Sequence, residues 1–172
     1  MRYYKIKSYA KINISLGILD KLKTKLHKIE SLISFINLHD EIFIKKINDK
    51  NHKIIFYGKF SKGIFKNNTI SNLLKLLEKK LSGQKFLIKI NKKIPSKSGM
   101  GGGSMNASSL LNFLIKNQKL NLSTKEIYKI SSKIGSDVII GLQNKTSILY
   151  GNGQIKYLNN KLNLYTLLIR PS

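Results

Sequence analysis

At 172 residues the chain has room for one globular domain with a real apolar core. It has no cysteine and only three scattered histidines, His27, His39 and His52, which excludes disulfides and thiolate metal sites and argues against a histidine zinc site, so no protein-bound metal is expected. Lysine plus arginine number 32 against 8 acidic residues, a formal net charge of +24, and such a surface suits nucleic acid, anionic lipid or a polyanionic small substrate. Only Arg2 and Arg170 are arginines, however. Lysine lacks the planar fork that reads bases and phosphates, which ranks a solvated basic surface ahead of a nucleic-acid interface.

In chain order, alternating or apolar runs predict strands near 2–7 and 11–19, an extended segment at 29–38, and strands near 41–47, 53–57 and 85–91. The N-terminal stretch MRYYKIKSYAKINISLGILD carries lysines inside its apolar portion, unlike a signal peptide, and no apolar run reaches the roughly 18–20 residues of a membrane span. A cytoplasmic protein with no membrane partner is expected. Residues 68–81, NTISNLLKLLEKKL, put Leu73, Leu74, Leu77 and Leu81 on one helical face before Ser82-Gly83 stops them. A second helix is predicted over 104–116, where Ala107, Leu110, Leu111 and Leu114 recur at helical spacing. Ser123 and Glu126 form a capping box for a third, whose apolar face is Ile127, Ile130 and Ile134 and whose stop is Gly135. Strands near 146–150, 154–158 and 164–169 follow, with GNG at Gly151–Gly153 as the turn between the first two. With no repeat, heptad or low-complexity linker, the expectation is a single α+β domain, a mixed sheet with packed helices.

The stretch PSKSGMGGGS, Pro95 to Ser104, lies between a strand and a helix and holds four glycines in five positions. Such a junction offers unpaired backbone N–H groups at the positive end of a helix dipole, with glycines that let phosphate oxygens come close. GxxxxGK[ST] fails because Ser104-Met105 follows the last glycine; GxGxxG fails because Ser104 and Asn106 stand where its third glycine belongs. A flexible surface turn competes evenly with an anion site on this stretch alone. Lys11 and Asn13 are embedded in the apolar SYAKINISL, and Asp137 falls between a glycine stop and an apolar run in KIGSDVII. One cation, one carboxylate and one phosphate loop are what phosphoryl transfer to an alcohol needs. Against that stand a lysine that snorkels from its strand and an aspartate that caps the next turn.

Four motifs in order resemble those of the GHMP superfamily of small-molecule kinases: AKINISL at Ala10–Leu16, KLHKIES with INLHDEI, PSKSGMGGGSMNAS at Pro95–Ser108, and GSDVII at Gly135–Ile140. The His27 motif resembles that of the 4-diphosphocytidyl-2-C-methylerythritol kinases within it. This resemblance implies the α+β N-terminal GHMP domain, a fold shared with a ribosomal-protein domain. It also implies ATP and Mg²⁺ as cofactors and transfer of the γ-phosphate to the 2-hydroxyl of 4-diphosphocytidyl-2-C-methyl-D-erythritol, in the non-mevalonate route to isoprenoids. Asp137 would be the general base and Lys11 its partner. Pro95, Ser96, Lys97, Ser98, Gly99, Met100, Gly101, Gly102, Gly103, Ser104 and Met105 would cradle the ATP phosphates, Asn68 and Lys92 would lie near the adenine, and Asn13 and His27 would contact the substrate.

Leu26 stands where the family has a tyrosine, Lys97 and Ser98 where loop residues are small, and Met105 where it has a second serine. The closing LLIRPS resembles the end of the family's N-terminal domain, so residues 1–172 are expected to be that domain without the C-terminal one, a monomer or weak homodimer. Two rivals stay open: a GHMP kinase for another alcohol, such as homoserine or mevalonate, and a basic RNA-binding module on the related ribosomal fold.

Overall fold

The computed structural model describes residues 2–21, 27–151, 153–159 and 165–169. Its spine is a pair of long antiparallel strands, β1 (Tyr4–Lys21) and β2 (His27–Ile47). The predicted breaks inside each are local irregularities. Tyr9 faces His39 but Lys11 faces Phe35, so β2 passes four residues where β1 passes two, and the ladder resumes beyond. Irregularities of this kind re-aim side chains without ending a sheet, and this one falls beside Lys11.

The other edge of β2 is shared. Its first half pairs with β5 (Ser147–Leu149), which turns into β6 (Ile155–Tyr157), and its second half with β4 (Lys85–Asn91). Strand β3 (Lys53–Tyr57) lies parallel to β4 at the far side. A parallel pair needs a crossover, and α1 (Thr69–Leu77) with a short 3₁₀ turn (Glu78–Leu81) supplies it. Three further helices follow, α2 (Gly102–Asn117), α3 (Thr124–Ile134) and the single turn α4 (Val138–Gly141).

The helices cover one face of the sheet. Ile42 and Ile44 of β2 and Phe86, Ile88 and Ile90 of β4 meet Ile70, Leu73, Leu74 and Leu77 of α1 and Ala107, Leu110, Leu111 and Leu114 of α2. The predicted apolar face of α3 is only half buried, and it packs on this core from outside. Its capping box forms as expected, Ser123 Oγ accepting from Glu126 N–H. The N-terminus of α1 has a box as well, between Asn68 and Ser71, which the sequence reading missed because Ser stands where Glu or Gln signals it.

Beyond Asn13, β1 has β2 as its only strand neighbour among the described residues, and Ile14, Leu16, Ile18 and Leu19 are exposed. The predicted last strand is not one over its described part: residues 165–169 run as irregular chain, with Tyr165, Leu167 and Ile169 exposed. Apolar composition suits a strand, but without a paired neighbour it does not make one. Leu26, the Asn152 of the GNG turn and Arg170–Ser172 lie outside the described residues. Among the described residues no helix is long and apolar enough to cross a membrane.

Leu111 is fully buried between α2 and the sheet. Leu111→Ala is expected to lower unfolding free energy by about 2–5 kcal/mol in a urea titration, the range for a truncated core leucine. A second expectation concerns pH. His52 Nδ1 accepts the N–H of Phe86 at 3.1 Å, and its ring stacks on that phenylalanine. Burial holds its pKa below the ordinary 6.5, against the pull of Glu78. With the folded value depressed, the unfolded chain takes up the proton first, so this contribution is complete above about 6.5 and fades as pH falls. Urea midpoints are expected to fall between pH 7 and 5, and His52→Phe to flatten that part of the profile.

Candidate active site

The glycine loop is built on a buried charge. Asp40, fully enclosed, receives the ammonium of Lys92 on one oxygen and the backbone N–H groups of Lys93 and Ile94 on the other, at 2.7 and 2.9 Å. Three donors on one carboxylate fix where the chain leaves β4. The loop then curls back through left-handed backbone at Lys97 (φ 58°), Gly99 (φ 73°) and Gly101 (φ 66°) and enters α2, with Met105 N–H closing the first helical turn on the Gly101 carbonyl at 2.8 Å.

Gly101 is also a point of close approach. A Cβ there would lie 3.0 Å from Lys11 Cγ and 3.4 Å from Asp137 Oδ2. Lys11 N–H donates to the Met100 carbonyl at 3.1 Å, which ties β1 to the loop. The Lys11 side chain is 9% exposed; its Nζ donates to Asn13 Oδ1 at 2.7 Å and lies 3.4 Å from Asp137 Oδ2. Asn13 in turn donates to Ser31 Oγ at 2.7 Å, and Ser31 to the Ser15 carbonyl at 2.5 Å. Each group in this file orients the next. Asp137 sits at the start of α4 with its carboxylate partly open to solvent. Residues 126 positions apart in sequence thus form one pair, held by the strand irregularity on one side and the α3–α4 corner on the other. At its far end α4 packs closely on α2: a Cβ on Gly141 would fall 2.2 Å from Ser108 Oγ and 3.0 Å from Ser108 Cβ, a fit that favours glycine there.

On the other side of Gly101 the same loop walls a cavity of about 490 Å³. Pro95 to Gly99, Gly101 to Ser104 and Lys92 line one side, and Phe56, Ile64, Phe65 and Asn68 another. Two helix N-termini converge there, tied by Thr69 Oγ1, which donates to the Gly103 carbonyl at 2.8 Å. Lys92 and Lys97 are its charged lining residues, and among the described residues no carboxylate lines it. Positive helix ends, lysines and no acid make a host for an anion.

Of the residues expected to cradle ATP, Met100 and Met105 do not line the cavity, and Lys11, Asn13 and Asp137 stand outside its lining as well. Met105 is buried, toward Gly141, and its N–H is used within the helix. Pro95 has no N–H to offer. Asn68 lines the cavity, but its carboxamide is engaged: Oδ1 accepts from Ile70 and Ser71 N–H, and Nδ2 donates to the Phe65 and Lys66 carbonyls. The His27 side chain lies outside the described part. Asp40, Ser31 and Thr69 were missed. Asp40 stood in the quoted INLHDEI, though nothing local marks its partners; Ser31 and Thr69 carry no pattern at all.

The family model described as the GHMP kinases N terminal domain matches residues 68–152, the span that includes the glycine loop, α2 and Asp137. Over that span the chain has the sequence pattern of a GHMP kinase N-terminal domain. Relatives of this domain-bearing chain include a Pelagibacter ubique protein, 54% identical over 174 residues that cover 100% of this chain and 62% of that protein. A Petrotoga mobilis protein is 37% identical over 87% of this chain and 57% of its own length. Both are named 4-diphosphocytidyl-2-C-methyl-D-erythritol kinase. The chain therefore spans about 60% of the length of these curated relatives. A crystal structure of 4-(cytidine 5'-diphospho)-2C-methyl-D-erythritol kinase superposes with a TM-score of 0.75 at 22% identity, over 90% of this chain and 55% of that one. The homoserine kinase of Cytophaga hutchinsonii does so at 0.62 and 18%, over 91% and 51%. These superpositions establish that the chain shares the α+β fold of these two structures.

The Asp40–Lys92 pair gives this site a direct test. Asp40→Asn keeps an acceptor for the backbone but leaves a buried ammonium unanswered, and is expected to cost about 3–5 kcal/mol in denaturant unfolding. Adding Lys92→Met to that variant is expected to recover part of the loss.

Proposed function

We propose that this chain carries the catalytic half of an ATP-dependent kinase that phosphorylates the 2-hydroxyl of 4-diphosphocytidyl-2-C-methyl-D-erythritol. The observation that carries the reading is the convergence of Lys11 and Asp137 on Gly101, directly behind an acid-free cavity at the N-terminus of α2. The choice of alcohol is supported by the relatives' shared name and by the His27 and INLHDEI motifs.

In this reading the nucleotide triphosphate lies in the cavity, its oxygens facing the amides that open α2 and the ammonium of Lys97, while Lys92 stays paired with Asp40 beneath the loop. The alcohol lies on the Asp137 side. The hydroxyl proton passes to the Asp137 carboxylate as the alcohol oxygen bonds to the γ-phosphorus and the bond to the β,γ-bridging oxygen breaks, releasing ADP. Lys11 fixes the carboxylate and offsets charge on the attacking oxygen, and Asn13 holds the lysine in place. Positioning and charge neutralisation supply most of such an acceleration. Magnesium binds through phosphate oxygens, water and one or two protein oxygens, and would neutralise phosphate charge here. The protein group that fits is the Ser104 hydroxyl, which belongs to the cavity wall and lies against Gly135, leaving the Asp137 carboxylate to Lys11 and the hydroxyl proton.

The test is a chimera in which this chain is followed by the remaining portion of the Pelagibacter ubique relative. ADP release is expected with the diphosphocytidyl alcohol and not with homoserine or mevalonate; preference for either of those would move the chain to another GHMP kinase. Asp137→Asn is expected to lower kcat by about 10²–10⁴-fold while ATP affinity stays within about threefold. Undiminished turnover would remove Asp137 as the base.

A further inference from the structure

Asn106 stands one turn inside α2, four residues after Gly102 and three after Gly103. It is 2% exposed and lines the cavity. Its neighbours Met105, Ala107 and Leu110 are apolar and need no hydrogen bond, but a carboxamide carries an acceptor oxygen and two N–H donors. Asn106 Oδ1 is buried and accepts nothing. Of the buried, unpartnered side-chain atoms among the described residues, which also include those of Ser8, His52, Ser131 and Ser147, it alone belongs to the cavity wall. An acceptor left this way destabilises the fold that holds it, and an alanine or leucine would not. Three other polar side chains of the wall are already engaged: Asn68 in the cap of α1, Lys92 with Asp40, and Thr69 with the Gly103 carbonyl.

We infer that Asn106 reads the nucleoside half of the bound nucleotide, its Oδ1 accepting a hydrogen bond from an N–H of the base or an O–H of the sugar. The inference rests on the nucleotide reading of the cavity. An unpaired acceptor calls for a donor, and an ionised triphosphate has none to give; the donors of a nucleotide are its exocyclic amine and its ribose hydroxyls. Position agrees with chemistry. The phosphate-facing amides are at the start of α2, and Asn106 lies about 6 Å further along the axis than Gly102, at 1.5 Å per residue. The cavity there also has an apolar wall of Phe56, Ile64 and Phe65, against which a planar base can rest. Asn106 is thus a specificity residue: it marks which nucleotide enters and takes no part in bond making.

Calorimetric titration of the whole 172-residue chain with ATP, paired with thermal unfolding in the absence of nucleotide, tests this. Asn106→Ala is expected to unfold at the same or a higher temperature and to bind ATP at least tenfold more weakly. In the unaltered chain one of three analogues, lacking the 6-amino, the 2'-hydroxyl or the 3'-hydroxyl group, is expected to lose at least fivefold in affinity, and that loss is expected to vanish in Asn106→Ala. Which analogue behaves so identifies the donor. Equal ATP affinity in the two chains, or a lowered unfolding temperature with unchanged affinity, overturns the inference while the cavity keeps its nucleotide. Should Asn106→Ala not fold, the analogue series on the unaltered chain decides: no loss with any of the three overturns it. A folded, unaltered chain that binds no ATP would overturn the nucleotide reading and this inference together.

Discussion

Asp40 carries a carboxylate in a place from which water is excluded, and everything around the glycine loop is arranged to answer it. Burying an ion without partners is costly enough that the surrounding chain has little freedom to be anywhere else. The partners come from three consecutive residues, Lys92, Lys93 and Ile94, so the constraint acts at the point where β4 gives way to the loop. Were that exit loose, the left-handed turns at Lys97, Gly99 and Gly101 would still bend the chain, but the bond from Lys11 N–H to the Met100 carbonyl would be left alone to aim the bend at Lys11. The side chain that sets the active-site geometry thus comes from β2, whose other half supports β1 and the file of groups behind Lys11.

Much of this was legible beforehand, for reasons that differ by element. Helix α2 announced itself because leucines at helical spacing follow glycines that no regular element would hold. Strand β4 and the β5–β6 hairpin were legible from alternation and a turn residue. The unity of β1 was not, since the ladder slips between Tyr9 and Lys11 and a slip in pairing leaves no trace in either strand alone. Capping of α1 by Asn68 escaped for a smaller reason, a serine at the position that normally signals a box.

For the site, the divide follows sequence distance. Lys11, Asp137 and the glycines are conspicuous singly, because each is a residue out of keeping with its surroundings. That Asp40 meets Lys92 across 52 positions is a product of how β2 and β4 pair, and no local pattern encodes it. Asn106 is harder still. Within a helix it looks like an ordinary polar position, and only the burial of its carboxamide against a cavity sets it apart.

The far half of β1 links back to the composition. There a strand with a single neighbour among the described residues carries Ile14, Leu16, Ile18 and Leu19 into solvent, the kind of edge along which separate molecules pair into aggregates. Opposing that contact is the chain's own charge of +24, which keeps copies apart over a distance set by the dissolved salt, about 10 Å at 0.1 M. The lysines that say little about ligands therefore have a colloidal role: at low ionic strength they shield a sticky edge, and added salt progressively withdraws that protection.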